Sequence, residues 1–227
     1  FGRVIGIMKK MDTGGGGSTT VGEYEEDHAY IVSMVTKIGN ITVRPCLVYG
    51  NLASKTPAAD ADIIKGLLAL DGSFGNVGFE AELDVNNYSL AAGADYSVGG
   101  AYLNVWTTMD ALKVGLLGAY GSFDSDAGKG FDFGEDFKAG GALLMGDDIV
   151  FGPAVKTGQQ DLTAGNLIAT YFDYAINDKL SFGAYLGYAT CNYDDSSKWD
   201  GANVYELSAD LTYAITPNLT YKIAAGT

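Results

Sequence analysis

Apolar and polar side chains alternate over residues 205–225 at the end of the chain. One alternate set carries no charge and consists of Tyr205, Leu207, Ala209, Leu211, Tyr213, Ile215, Leu219, Tyr221, Ile223 and Ala225. Thr216-Pro217-Asn218 interrupts the alternation between the two halves, as a turn would. Because successive strand side chains point to opposite faces, the pattern predicts a hairpin with one wholly apolar face. Tyrosines at both ends of that face are typical of a strand pair that faces lipid.

The same alternation recurs along the chain around further short turns. Pairing outward from Gly39-Asn40 sets Tyr30 opposite Tyr49 on the apolar face and Lys37 opposite Thr42 on the other. Similar hairpins are predicted around residues 71–76, Asp110-Ala111 and Asn177-Asp178. Since a one-residue slip would reverse both faces of a strand, the agreement between hairpins supports this assignment of faces.

In the second of these hairpins, Ile64, Gly66, Leu68 and Leu70 are predicted to face Val77, Phe79, Ala81 and Leu83 across residues 71–76. The other face of the same hairpin carries charges of both signs. Lys65 is expected opposite Glu80, Glu82 and Asp84, close enough for a cross-strand ion pair.

Strand number and loop length together predict the architecture. About eleven strands are expected, including one at residues 1–10, with long connections at the end opposite the short turns. These connections are residues 11–27, 51–62, 86–95, 123–162 and 192–202. Such loops are uncommon in compact soluble domains but are expected outside an outer-membrane barrel. We therefore predict an all-β fold, an antiparallel transmembrane β-barrel, as a single domain over residues 1–227.

An odd number of strands does not close an antiparallel barrel of this kind. Phe1 opens directly into strand-like sequence without a signal peptide, so the chain is interpreted as a mature or partial product, incomplete at one or both ends. Pro45 lies within a predicted strand and lacks the N–H that a ladder needs, so a bulge or local distortion is expected there.

Aromatic residues are predicted to form two belts around the apolar band. The loop-side belt comprises Tyr30, Tyr49, Tyr120, Tyr188 and Tyr205, and the turn-side belt comprises Tyr174, Phe182, Tyr213 and Tyr221. Amphipathic rings at both edges of an apolar band match the interfaces of a bilayer.

The net charge of the chain argues against one class of partner. A net charge of −14 and a pI near 4.2 argue against nucleic acid as a partner, because its phosphates would be repelled. A mean hydropathy of +0.07 does not exclude a membrane protein, since barrel strands hide their hydrophobicity in alternation.

The chain resembles the general porins of Gram-negative outer membranes, especially the homotrimeric type. The likeness is carried by the phrases DALKVGLLGAYGSFD, YAINDKLSFGAYLGYAT and YAITPNLTYKIAAGT. The resemblance implies a closed barrel of about sixteen strands, a trimer, and one loop folded inward to narrow the pore. It also implies a bacterial outer-membrane location, with lipid and lipopolysaccharide around the protein and small hydrophilic solutes passing through it.

Charged side chains alternate onto the face opposite the apolar band. The predicted pore-lining residues are Lys37, Arg44, Lys65, Glu80, Glu82, Asp84, Lys113, Asp173, Glu206 and Asp210. Opposed charges across a pore would create a field that orders polar solutes, and the acidic row at residues 80–84 favours a modest cation preference. The alternative is that these charges only solvate a wet lumen.

No catalytic, metal or cofactor site is predicted. Residues 123–136 resemble a calcium loop, but Lys129 stands where such a loop requires glycine. The adjoining residues 137–150 are expected to form a short helix or an infolded loop. Cys46 and Cys191 match no metal or redox spacing, and two unpaired cysteines are favoured over a disulfide.

Three alternatives to a porin stay open at this point. The first is a structural or adhesive outer-membrane barrel without an open pore. The second is an outer-membrane lipid hydrolase, which would need a partner for His28, the one histidine of the sequence. The third is a soluble β-sandwich, whose strands also alternate.

Overall fold

The computed structural model describes residues 3–4, 24–54, 61–91, 95–131, 165–191 and 201–227. Within these ranges every regular element is a β-strand, so the predicted all-β fold class is confirmed. The strands are β1 (Arg3–Val4), β2 (Tyr24–Ile38), β3 (Ile41–Ser54), β4 (Ala61–Phe74), β5 (Val77–Leu90), β6 (Tyr96–Met109), β7 (Leu112–Gly121), β8 (Phe123–Asp124), β9 (Lys129–Gly130), β10 (Gly165–Asn177), β11 (Leu180–Cys191), β12 (Asn203–Thr216) and β13 (Leu219–Gly226).

Eleven of these strands form one antiparallel sheet in chain order, with β7 next to β10. The sheet therefore has the predicted number of strands, and of residues 1–10, predicted as its first strand, the structure describes Arg3–Val4 as β1. The two further strands, β8 and β9, lie within residues 123–162, so the prediction of a loop there is wrong at these positions. The remaining two strands, β8 and β9, pair with each other as a small separate hairpin. Over the described ranges no ladder joins β13 to β1 or β2, so the sheet is not closed there.

Short turns join the strands at one end of the sheet, as predicted. The turns at Gly39-Asn40 and Asp110-Ala111 lie where the sequence places them. The hairpin between β10 and β11 turns at Asp178-Lys179, one residue later than predicted, because Asn177 still pairs with Leu180. The last hairpin turns at Pro217-Asn218, and a register shift between Ala214 and Thr216 takes up the extra residue.

The hairpin between β4 and β5 differs most from the prediction. Its turn consists of Gly75-Asn76 alone, and Gly75 has a φ of 59°, the left-handed conformation that glycine adopts without strain. Leu70 consequently pairs with Ala81 rather than Val77. The predicted faces are unchanged, because the register moved by an even number of residues. Residues 71–74, predicted as turn, belong to β4.

Several strands also extend further into the predicted loops. β5 continues to Leu90, β3 continues to Ser54, and β2 begins at Tyr24. These extensions contain many polar residues because they lie beyond the apolar band. Their sequence therefore resembles that of a loop. The residues predicted as an infolded loop or helix, 137–150, lie outside the described residues.

Pro45 interrupts the β2–β3 ladder without shifting its register. The β2–β3 ladder has no rung between Ser33–Cys46 and Thr36–Val43, yet both sides keep the same register. On its other side Pro45 remains paired with Leu68 of β4. The predicted distortion is therefore a local gap in the ladder and no bulge is present.

The two faces of the sheet differ in their exposed apolar and charged side chains. Every large hydrophobic side chain that is exposed in the described part of the chain alternates onto one face, which we call the outer face. It includes Leu47, Leu83, Leu116 and Leu186, each more than half exposed. The charged side chains of the sheet strands between the two aromatic belts all alternate onto the opposite face, which we call the inner face.

The inner face also contains the tightest packing in the described sheet. Leu117 and Ala119 of β7 pack with Leu167, Ala169 and Tyr171 of β10, and with residues of β11. Glycines on neighbouring strands make room for the large rings. Trp106 lies over Gly78, and Tyr171 lies over Gly115.

Candidate functional site: a charged cleft on the inner face

A cleft of about 630 Å³ opens on the inner face near the short turns, over strands β2 to β6. We call it the charged cleft. Its charged and aromatic inner-face lining comprises Lys37, Arg44, Asp71, Glu80, Glu82, Tyr102 and Trp106. Strand alternation and the observed register bring these residues together, since they come from five successive strands at similar heights.

The charges are separated by sign across the cleft. Lys37 and Arg44 come from β2 and β3, whereas Glu80 and Glu82 come from β5. Asp71 of β4 lies between the two groups and forms an ion pair with Arg44. Both partners of this pair keep solvent contact, with side chains 47% and 36% exposed, so the pair contributes little stability. Its main effect is to compensate the charge of Arg44.

Aromatic rings form the β6 side of the cleft. Tyr102 and Trp106 are both half-buried and lie four residues apart on the inner face of β6, with Asn104 between them. The ammonium of Lys113 stands 5.0 Å from the centre of the Trp106 ring and 5.5 Å from that of Tyr171. Such cation–π contacts hold the lysine against the wall of the sheet.

A second group of charges lies on β7 and β10 to β13. Asp173 is paired across the sheet with Lys113 on one side and Gly183 on the other. Asp173 and Asp210 approach each other over Gly183, which has no side chain to separate them. Lys222 of β13 forms an ion pair of 3.2 Å with Asp210 and compensates part of this negative charge.

The other predicted pore-lining residues are placed apart from the charged cleft. Lys65 pairs with Asn86, so the predicted position opposite Glu80 and Glu82 is wrong, and Asp84 is its diagonal neighbour on β5. Its ammonium lies instead 5.7 Å from the centre of the Tyr88 ring. Asp84 pairs with Leu67, two residues along β4. Glu206 is 1% exposed and accepts a hydrogen bond of 2.6 Å from the hydroxyl of Ser208.

Four inner-face residues that contribute to these groups were missed by the sequence reasoning. Asp71 was assigned to a turn, and the Gly75-Asn76 dipeptide was the signal that could have moved it onto the strand. Tyr102 and Trp106 of the charged cleft, and Lys222 beside Asp210, follow from the same alternation.

The predicted aromatic belts lie on the outer face. At the loop side Tyr30 stacks on Tyr49 with ring centres 6.2 Å apart, and Tyr188 packs against Tyr205 at 5.0 Å. Tyr120 belongs to the same belt and is 48% exposed. At the turn side, Tyr174 pairs with Phe182 and Tyr213 pairs with Tyr221.

The carboxylate of Asp62 lies one outer-face position beyond the loop-side belt, at the edge of the apolar face. Asn51 donates a hydrogen bond of 2.7 Å to it, and the Tyr49 hydroxyl donates another of 3.0 Å. These two hydrogen bonds stabilise the charged form and lower the pKa of Asp62 from its ordinary value. A hydrogen-bonded carboxylate therefore borders the apolar face on β3 and β4.

The described residues do not form the metal or nucleophile sites that the sequence brought into question. Among the described residues, no three acidic, cysteine or histidine side chains gather as a metal site would require. Asp124 accepts a hydrogen bond from the backbone of Ala127 in the β8–β9 turn, while Glu135 of the calcium-like segment lies outside the described residues. Cys46 and Cys191 are not joined in a disulfide. His28 lies on β2 opposite Asn51.

Comparisons with known proteins add no identity to this geometry. No helix long and apolar enough to cross a membrane occurs in the part of the chain that the structure describes. No family model and no curated protein matches the chain. The two faces of the sheet and the charged cleft are the features of the described residues that bear on function.

Proposed function

We propose that the protein is an outer-membrane porin of the general type, a water-filled channel for passive diffusion of ions and small hydrophilic solutes. The observation that carries the proposal is the complete separation of the two faces. Large apolar side chains stay exposed on the outer face, and the charged side chains of the sheet strands between the two aromatic belts lie on the inner face. Among the described residues no second layer covers this apolar face, whereas a bilayer would cover it.

Strand length supports the same proposal. The strands from β2 to β12 within the large sheet contain between 10 and 15 residues, and a tilted strand needs about 9–11 residues to cross the hydrocarbon core. Belts of tyrosine and phenylalanine near both ends of the apolar face fit the two interfaces. In a bilayer every backbone N–H and C=O group needs a partner, so the proposal includes closure of the sheet into a barrel.

The assembly and location belong to the same proposal. We place the barrel in a bacterial outer membrane, with lipid and lipopolysaccharide against the outer face. A homotrimer is proposed from the resemblance to general porins. The inner face would line the lumen, and its acidic residues would favour cations modestly over anions.

Conductance in a planar lipid bilayer tests the proposal most directly. Purified protein should produce discrete, stable conductance steps in KCl. A sealed bilayer that contains inserted protein would refute the channel and favour a structural or adhesive barrel. Release of fatty acid from phospholipid, lost in His28→Ala, would favour a lipid hydrolase instead. A monomer that stays folded and dispersed without detergent would favour a soluble β-sandwich.

A further inference from the structure

The charged cleft keeps opposite charges at its two ends. Arg44 and Asp71 compensate each other through their ion pair. Lys37 remains at the β2 end and Glu80 at the β5 end, together with Glu82. Within the described ranges no ion pair joins Lys37 or Glu80 to a side chain of opposite charge. The cleft is therefore a dipole, with its positive end on one wall and its negative end on the other.

The observed register gives the scale of this dipole. Lys37, Thr42, Asp71 and Glu80 occupy one lateral row, each paired with the next across the sheet. Three strand spacings of about 4.8 Å put the backbones of Lys37 and Glu80 roughly 14 Å apart. Side chains that stand away from the sheet leave a gap between their charged ends. The volume of about 630 Å³ lies within the range of sites that bind small molecules.

We propose that the charged cleft binds small zwitterionic solutes, of the size of an amino acid or a dipeptide. The solute's ammonium group lies at Glu80 and Glu82, and its carboxylate lies at Lys37. This inference rests on the proposed channel, because the lumen is the route by which a solute reaches the inner face.

Singly charged and neutral solutes fit the same cleft less well. A simple anion that binds Lys37 leaves the glutamates without a partner and is repelled by them. A simple cation that binds Glu80 and Glu82 leaves Lys37 without a partner and is repelled by it. A neutral solute replaces the water around both ends without a charged partner for either. Only a solute with both charges satisfies both ends at once.

Trp106 provides a readout that does not depend on conduction. It lines the cleft, and the sequence contains one other tryptophan, Trp199, which lies outside the described residues. In the Trp199→Phe protein, kept in detergent micelles, fluorescence excited selectively from tryptophan, beyond the absorption of tyrosine, reports on Trp106 alone. The probes are glycylglycine, the anion N-acetylglycine, the cation glycinamide and the neutral N-acetylglycinamide.

Glycylglycine should change the fluorescence saturably, with a half-saturation about tenfold lower than that of the anion or the cation, as the loss of one charge-assisted contact implies. Equal responses to all four probes, or saturable binding of the anion or cation alone, would overturn the proposal. Bilayer conductance measured in parallel separates the two claims. Conductance without saturable fluorescence refutes only the zwitterion site. Saturable fluorescence with a sealed bilayer refutes only the channel.

Variants on the two walls sharpen the test. Glu80→Gln combined with Glu82→Gln should raise the half-saturation for glycylglycine about tenfold, whereas N-acetylglycine should bind no worse. Lys37→Met, on the opposite wall, should weaken glycylglycine similarly and is decisive if the glutamine variant does not fold. The matched control is Asp126→Asn, which removes a negative charge from the exposed β8–β9 turn and should leave binding unchanged. A native response in both wall variants would overturn the proposal.

Discussion

The ring of Tyr171 on β10 lies directly over Gly115 on β7, the residue with which it is paired across the sheet. Trp106 covers Gly78 in the same way on β5. Pairs of a large ring and a glycine let the inner face carry aromatic side chains without forcing the strands apart. They also hold each ring flat, because the ring occupies the space where a neighbouring side chain would stand.

This relationship predicts the effect of adding one methyl group. In Gly115→Ala the new Cβ would overlap the Tyr171 ring, so we expect the free energy of unfolding to fall by about 1–3 kcal/mol. Urea unfolding in detergent micelles, followed by circular dichroism, measures the change. The control is Gly118→Ala on the outer face of the same strand, whose Cβ would meet its nearest atom, the Leu167 carbonyl oxygen, at 3.8 Å. Equal losses in the two variants would contradict the packing argument.

A buried hydrogen bond holds the same tyrosine in place. The Tyr171 hydroxyl donates to Oδ1 of Asn104 at 3.0 Å, and Asn104 is 7% exposed. Tyr171→Phe removes the donor from this buried oxygen and should cost about 1–3 kcal/mol in the same unfolding experiment. Tyr174→Phe, on the exposed outer face, should change stability little. A neutral Tyr171→Phe would show that another group, either water or the Tyr102 hydroxyl, satisfies Asn104 in place of the Tyr171 hydroxyl.

The proposed membrane orientation predicts a strong asymmetry between the two faces. Leu211 lies on the outer face of β12, where arginine at the bilayer midplane costs about 2–4 kcal/mol. Ala224→Arg on the inner face should be tolerated, because Ala224 is exposed and paired with Asp210. Folding into lipid vesicles, scored by protease protection, compares Leu211→Arg with Ala224→Arg. Equal yields would mean that the outer face does not contact lipid.

Ser208 shows why the control position has to come from the structure. Alternation assigns it to the polar face, where a charge would be expected to be tolerated. It is nevertheless 5% exposed and bonded to Glu206, so arginine there would disrupt a packed site. A residue that lies on the inner face is therefore not necessarily accessible to solvent.

Ion selectivity is the fourth prediction. Glu80, Glu82 and Asp84 lie on the inner face of β5, where they raise the local cation concentration, more strongly in dilute salt. The native channel should therefore show a modest cation preference in its reversal potential across a KCl gradient. The variant Glu80→Gln, Glu82→Gln, Asp84→Asn should lose most of it. Anion preference in the native protein, or an unchanged variant, would contradict the assignment.

The sequence by itself determined the strands, their faces and most of their turns. Apolar and polar side chains alternate with a period of two, and this period survives errors in where a strand begins or how a hairpin is registered. The β4–β5 hairpin illustrates the point, because its turn was misplaced and yet every residue kept its predicted face. The all-β antiparallel architecture therefore followed from local pattern alone.

Only the tertiary structure decided which inner-face residues meet. A misplaced turn slides one strand along its neighbour, so Lys65 faces Asn86 and Asp71 reaches Arg44. Whether a polar-face residue is open, like Lys37, or packed, like Glu206, depends on what strands distant in sequence place beside it. Alternation specifies one property of each residue, namely the face of the sheet on which it lies. The position of a residue along and across the sheet depends on strand pairings that involve many residues at once. These strand pairings bring the residues of the charged cleft together.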